Sequence, residues 1–238
     1  MKLKYVINSS LIKITHFLLL LRYEIQKKIG VLKNYQPDPF DTRNNSLSLR
    51  SCYDRLDKIN EVLSDERKNF SYMDIGCHTG FFLFKLVDKY EGFGLGIDHG
   101  VTEVMVANSA AKKHKVNNIS FINYELNDQN IISLPQVDVI IFLSVFHHFV
   151  RYFHEKKALA MLESISNKCN KFFIFETGQP NEKSKWAHEL NFMGENYDEW
   201  IINKLKEFGF DEVNNCGQFE TSVSSKKRTL FIAKKLSD

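Results

Sequence analysis

The residues with the most chemical information lie in Y-M-D-I-G-C-H-T-G-F-F, positions 72–82. Asp74 sits at the end of an apolar run, and Gly76 and Gly80 bracket Cys77, His78 and Thr79 ahead of a helical segment. Glycines at such a turn let a ligand approach the backbone, and a helix start offers N–H groups to a polar or anionic group. A dinucleotide loop beginning at Gly76 would need glycine at positions 78 and 81, which are His78 and Phe81, so the nicotinamide reading is weak. Asp98 ends the next apolar run, G-L-G-I-D, with His99 beside it. A carboxylate there can accept hydrogen bonds from both ribose hydroxyls of an adenosine ligand, or cap the following helix.

Two further runs end in polar residues. Y-E-L-N-D places Glu125 and Leu126 where an adenine could sit, with a solvated loop charge as the alternative for Glu125. V-D-V-I-I-F-L-S-V-F-H-H-F runs into Ser144, His147 and His148. Either histidine is a packed structural residue or a group that faces an acceptor and takes its proton. Arg151 and the run Lys226-Lys227-Arg228 are candidates for an anionic acceptor, the latter with a solvated hairpin turn as its alternative. Residues 175–194 form a long aromatic connection where acceptor recognition is expected, with Trp186 and His188 as candidates and core packing as the alternative for Trp186.

The elements that must position these residues alternate in type. Strands are expected at Tyr72–Ile75, Phe93–Ile97, Ile119–Asn123, Asp138–Ser144 and Phe172–Glu176, with helices at Gly80–Tyr90, Thr102–Lys115 and Glu155–Asn167. Such alternation implies right-handed crossovers and a parallel sheet covered on both faces. After a helix at Glu199–Phe208, Glu212–Phe219 and Thr229–Lys234 read as an antiparallel hairpin at one edge. The expected fold is α/β, doubly wound, with a mostly parallel seven-stranded sheet. Its ligands bind at the carboxyl rim of the strands.

The 238 residues, 43% hydrophobic and 26% charged, suit an ordinary globular chain. Residues 1–34 hold seven Lys and Arg against Glu24 alone, so with a net charge of +3 the rest of the chain is acidic. That body counts against a broad nucleic-acid surface. Apolar residues from Leu3 to Leu32 recur every three or four positions on a basic helix. This 1–33 extension can pack on its own domain, on a second subunit in a homodimer, or on a membrane surface, or remain a flexible tail. Residues 34–66 read as a linker followed by a helix over 47–66 capped by Ser46, and 67–238 as the main domain. Cys52, Cys77, Cys169 and Cys216 show no C-x-x-C pair, so neither a metal site nor a disulfide is expected, and the setting is cytoplasmic. Lys13, Thr15 and His16 interrupt the N-terminal apolar stretch, so it reads neither as a secretory signal nor as a spanning helix.

The D-x-G-x-x-x-G arrangement at Asp74–Gly80 resembles that of class I S-adenosylmethionine-dependent methyltransferases, which are Rossmann-like. Over about residues 35–234 the chain resembles the methyltransferase domain of the bacterial bifunctional methyltransferase/kinase that terminates O-antigen chains. Tyr35-Gln36, C-Y-D-R-L-D-K-I-N-E at 52–61, the glycine loop and L-S-V-F-H-H at 143–148 carry the likeness, and G-Q-F-E-T-S-V-S at 217–224 echoes it. The resemblance implies S-adenosylmethionine as cofactor and a role for Tyr35, Gln36 and Arg55 in closing its pocket. The resemblance reaches only the methyltransferase half, so no kinase activity is expected of these 238 residues, and His78 stands at the middle of the loop. The implied activity is O-methylation of a glycan or glycolipid, on a sugar hydroxyl or a terminal phosphate, at the inner face of a membrane if the basic helix holds it there. A small-molecule acceptor, an RNA methyltransferase of the wobble-uridine type and a non-catalytic cofactor binder are the alternatives.

Overall fold

The computed structural model describes residues 35–41, 52–66, 68–221 and 226–236, together with Thr15, 18–23 and Ile25 from the N-terminal stretch. Most of the expected 3–32 helix, together with Ser46 and the first residues, 47–51, of the helix expected over 47–66, therefore lies outside the described residues, although 18–23 are helical. Helix α1 (Cys52–Leu63) buries Cys52, Arg55, Leu56, Ile59 and Leu63, a spacing of three and four that makes one face, with a cation placed in it. Strand β1 (Phe70–Ile75) leads through the glycine loop to α2 (Phe81–Tyr90), then β2 (Gly92–Asp98), α3 (Val101–Lys113) and β3 (Ile119–Asn123). β4 (Val137–Leu143), α4 (Phe146–Ser166), β5 (Cys169–Glu176), α5 (Tyr197–Glu207), β6 (Glu212–Phe219) and β7 (Arg228–Lys234) complete the order.

The strands form one sheet in the order β3-β2-β1-β4-β5-β7-β6. β1 to β5 are parallel, whereas β7 pairs antiparallel with both β5 and β6. The terminal hairpin thus extends the sheet with β7 inserted between β5 and β6. Alternation along the strands divides the core between two faces. Tyr72, Val139, Ile141 and Ile174 pack in a cluster with residues of α1, α2 and α3, while Met73, Ile140, Phe142, Phe173 and Phe175 pack with α4 and α5. Each fully buried phenylalanine contributes about 1.5–3 kcal/mol through burial alone.

The structure moves one boundary that matters. The helix expected from Glu155 starts at Phe146 and is broken at His154, whose φ and ψ are 60° and 167°. Residues 145–154 carried no expected element, but Phe146, Phe149 and Val150, all buried, have helical spacing. His147 and His148 therefore lie in the first turn of a short helical segment that faces the rim. No helix among the described residues is long and apolar enough to cross a membrane.

Candidate active site

A cavity of about 1040 Å³ opens at the carboxyl ends of β1 to β4. Its wall takes Gly76 and His78 from the loop after β1, Asp98 from the end of β2 with His99 and Gly100 after it, Glu125 and Leu126 after β3, and Ser144, His147 and His148 after β4. Tyr35 from the linker, Trp186 from the connection after β5 and Arg228 from β7 complete it. Four consecutive parallel strands deliver their next residues to one place, which is why positions scattered from 76 to 148 meet there.

Asp98 holds the loop in shape. Its Oδ2 accepts the His78 N–H at 2.8 Å and its Oδ1 accepts the Gly100 N–H at 2.8 Å. The helix-cap and ligand-binding expectations are thus compatible, since a carboxylate keeps further lone pairs for a ligand hydroxyl. Gly76 has φ 77°, and a Cβ there would come within 2.4 Å of Val145 Cγ2, so both backbone and packing demand glycine. Asp74, Cys77, Thr79 and Gly80 do not reach the cavity wall. Cys77 is a core residue whose thiol is pushed well above its usual range by burial and by Asp74 and Asp98, so it remains protonated.

The linker is docked onto this loop. Gln36 Oε1 accepts the Phe81 N–H at 3.3 Å and the Thr79 hydroxyl at 3.4 Å, and so caps α2 from outside, where Gly80 offers no side chain. Tyr35 lies against His78 with ring centres 5.2 Å apart, and Phe40 stacks on His114 at 3.6 Å. Tyr35 closes the cavity directly and Gln36 does so by fixing the chain behind it.

Arg55 is placed differently from the expectation. It is fully buried away from the cavity wall, with Nε 2.6 Å from Glu176 Oε2 and Nη2 donating to the Glu220 carbonyl at 3.0 Å. Glu176 Oε1 accepts the Ser144 hydroxyl at 2.6 Å, and Ser144 Oγ accepts from Arg228 Nη1 at 3.1 Å. Arg228 in turn grips Glu182 through two bonds of 2.7 and 2.8 Å. A buried polar chain thus ties α1, β5, β4, β7 and the connection after β5 into the floor of the cavity. Of the basic run 226–228, expected at a solvated turn, Lys227 is exposed beside Glu220, but Arg228 belongs to the core because β7 is covered on both sides of the sheet.

The two histidines differ. His147 is buried, its Nδ1 accepts the Gly178 N–H at 3.1 Å, and its ring stacks on Trp186 at 4.3 Å. A Cβ at Gly178 would lie 2.2 Å from Trp186, so this glycine lets the stack form. His148 is exposed to the cavity, and its pKa is held below the ordinary value by burial first, then by Arg228, Arg151 and His99. Neutral at pH 7, it can accept a proton. Arg151 and His188 lie outside the wall, Arg151 beside the Tyr152 ring and His188 exposed on the turn Ala187–Met193. Sequence reasoning missed Glu176 and Glu182, which reach these groups only through the fold.

A volume near the top of the ordinary range for one ligand leaves room for a donor and an acceptor together. The apolar Ile97, Leu126 and Phe149 on the same wall as Asp98 suit an adenosine, and the carboxylates of Asp98, Glu103 and Glu125 there suit a ligand that carries positive charge.

A family model described as a methyltransferase domain matches residues 66–204. No curated protein sequence matches. Among solved structures, the bifunctional kinase-methyltransferase WbdD superposes with a TM-score of 0.68 at 20% identity, over 86% of this chain and 44% of that one. The chain thus spans less than half the length of that relative. Magnesium protoporphyrin IX methyltransferase (ChlM) from Synechocystis PCC 6803, solved with bound SAM, gives 0.57 at 17% identity over 77% and 79% of the two chains. EvdMO1 gives 0.58 at 14% identity over 90% and 47%. These structures share the fold, and the family match extends over more than half of the chain: it belongs to the methyltransferase domain family.

Proposed function

We propose that the chain methylates an oxygen of a glycan or glycolipid during the synthesis of surface polysaccharide. The observation that carries this reading is the neutral, cavity-facing His148 beside the Trp186–His147 stack, a base next to an aromatic surface on which a sugar ring can lie. The resemblance of the sequence to a methyltransferase domain that terminates O-antigen chains supports the choice of acceptor. Loss of one methyl mass from the surface glycan of a deletion strain tests it, and an unchanged glycan would reject it.

Asp98, Gly76, His78, Leu126 and Tyr35 would hold the cofactor, with Glu125 at the adenine end. Bound there, S-adenosylmethionine supplies a methyl group activated by a sulfonium. Asp98 accepts from the ligand while it fixes the loop, and Tyr35 excludes water at the mouth. Trp186 and the His147 stack orient the acceptor, whose oxygen must be held about 3 Å from the methyl carbon. Replacing Asp98 by alanine removes hydrogen bonds to a charged group, each worth about 1.5–3 kcal/mol. Calorimetry with S-adenosylhomocysteine should then show an affinity lower by roughly 10- to 100-fold.

The N-terminal segment is proposed to rest on an anionic membrane surface. Leu18, Leu21 and Ile25 are exposed, and the segment is basic. Changing these three to glutamate should move the protein from the membrane fraction to the soluble fraction without altering cofactor affinity. Retention in the membrane fraction would reject this placement.

A further inference from the structure

The cavity wall discriminates between the two acceptor oxygens that the proposed function admits, an anionic phosphate and a neutral hydroxyl, and the inference rests on that function. Among the described residues, the charged groups on the wall are Asp98, Glu103, Glu125 and Arg228, together with histidines and no lysine. Arg228 is already engaged: Nε and Nη2 hold the two oxygens of Glu182, Nη1 holds Ser144, and the side chains of the ion pair are 2% and 0% exposed. A guanidinium held bidentately in this way has few donors left for a second anion. A phosphate entering here would compete with Glu182 for the guanidinium and would meet three carboxylates, an unfavourable field in a partly desolvated cavity.

A hydroxyl meets no such field, but it must lose a proton. His147 does not offer Nδ1 for this, because that atom accepts the Gly178 N–H; its neutral ring therefore carries the proton on Nε2 and acts as a donor. His148 makes no ring hydrogen bond among the described residues. The groups that face it are Arg228 from β7, Arg151 from its own helix, His99 after β2 and the His147 ring at 4.3 Å, none of them an anion that would hold it protonated.

We infer that the acceptor is a neutral hydroxyl of the glycan, with His148 as its proton acceptor and His147 as a hydrogen-bond donor. The hydroxyl oxygen gains the methyl carbon as the carbon–sulfur bond breaks with its electron pair passing to sulfur, which becomes a neutral thioether. The hydroxyl proton goes to a His148 ring nitrogen and from the imidazolium to water.

Proton and phosphorus NMR of surface glycan from the source strain and its deletion strain tests the inference. Deletion should remove a methyl signal that is not coupled to phosphorus, the mark of a methyl ether. Loss of a phosphorus-coupled methyl would overturn the hydroxyl while leaving glycan methylation in place, and an unchanged glycan would remove both. Complementation with His148→Gln, at an exposed position, should leave the ether signal lower by about 10²-fold or more; full restoration overturns the base. Independently of turnover, millimolar inorganic phosphate added to the full chain with S-adenosylhomocysteine should leave the Trp186 indole resonance in place. A saturable shift would assign the wall to an anion instead.

Discussion

Replacement of His148 by alanine is expected to lower kcat by roughly 10²- to 10⁴-fold, the usual contribution of a positioned base. The affinity for S-adenosylhomocysteine should stay within about twofold, because hydrogen bonding at the Asp98 end of the cavity is untouched. The pH profile separates a base from a residue that merely packs. Burial, Arg228, Arg151 and His99 disfavour the imidazolium, so the folded-state pKa lies below the ordinary 6.5. The reactive form is the neutral ring, which is lost as pH falls. In the wild-type enzyme kcat/KM should therefore be level through neutral pH and decline only below the ordinary histidine range. In Arg228→Met the acid limb should move up towards 6.5, since a cation that disfavours the imidazolium is removed. An acid limb that persists unchanged in His148→Ala would assign it to another group and dismiss the base.

The parts of this site that were legible in the sequence are those set by local pattern. Asp74, Gly76 and Gly80 mark a strand-to-helix turn from residue type alone, and the alternation of runs implies the rim at which Asp98, Leu126 and Ser144 meet. The parts that were not legible depend on which strand lies beside which. Arg55 and Glu176 are 121 residues apart and touch only because α1 packs across the sheet near the end of β5. Arg228 shares a run with two exposed lysines, and nothing local reveals that β7 enters between β5 and β6 and so buries it. His147 and His148 were found by type, but their separate roles follow from the Gly178 N–H, thirty-one residues away. The start of α4 at Phe146 was the one feature a stricter reading of period could have found, from Phe146, Phe149, Val150 and Phe153.

The largest effect on stability is expected at Glu176, which holds the floor of the cavity together. Its carboxylate lies between Arg55 Nε and the Ser144 hydroxyl, each at 2.6 Å, and neither side chain of the ion pair is exposed. In Glu176→Ala the Arg55 guanidinium stays buried without its counter-charge, a change that destabilises by about 3–5 kcal/mol. That is a fifth or more of the roughly 5–15 kcal/mol that holds a domain folded. Arg55→Ala leaves the reciprocal charge and should cost a similar amount. Arg55→Met combined with Glu176→Leu removes both charges and keeps the volume, so it should be at least as stable as the wild type and more stable than either single alanine variant by about 3–5 kcal/mol or more. Urea unfolding of the wild type and the three variants measures this coupling directly. Strictly additive losses would mean that the two groups do not act as a pair. Because Ser144 is held by Glu176 in a left-handed conformation at φ 63°, the single variants should also weaken cofactor binding, as the turn that carries His147 and His148 loses its anchor.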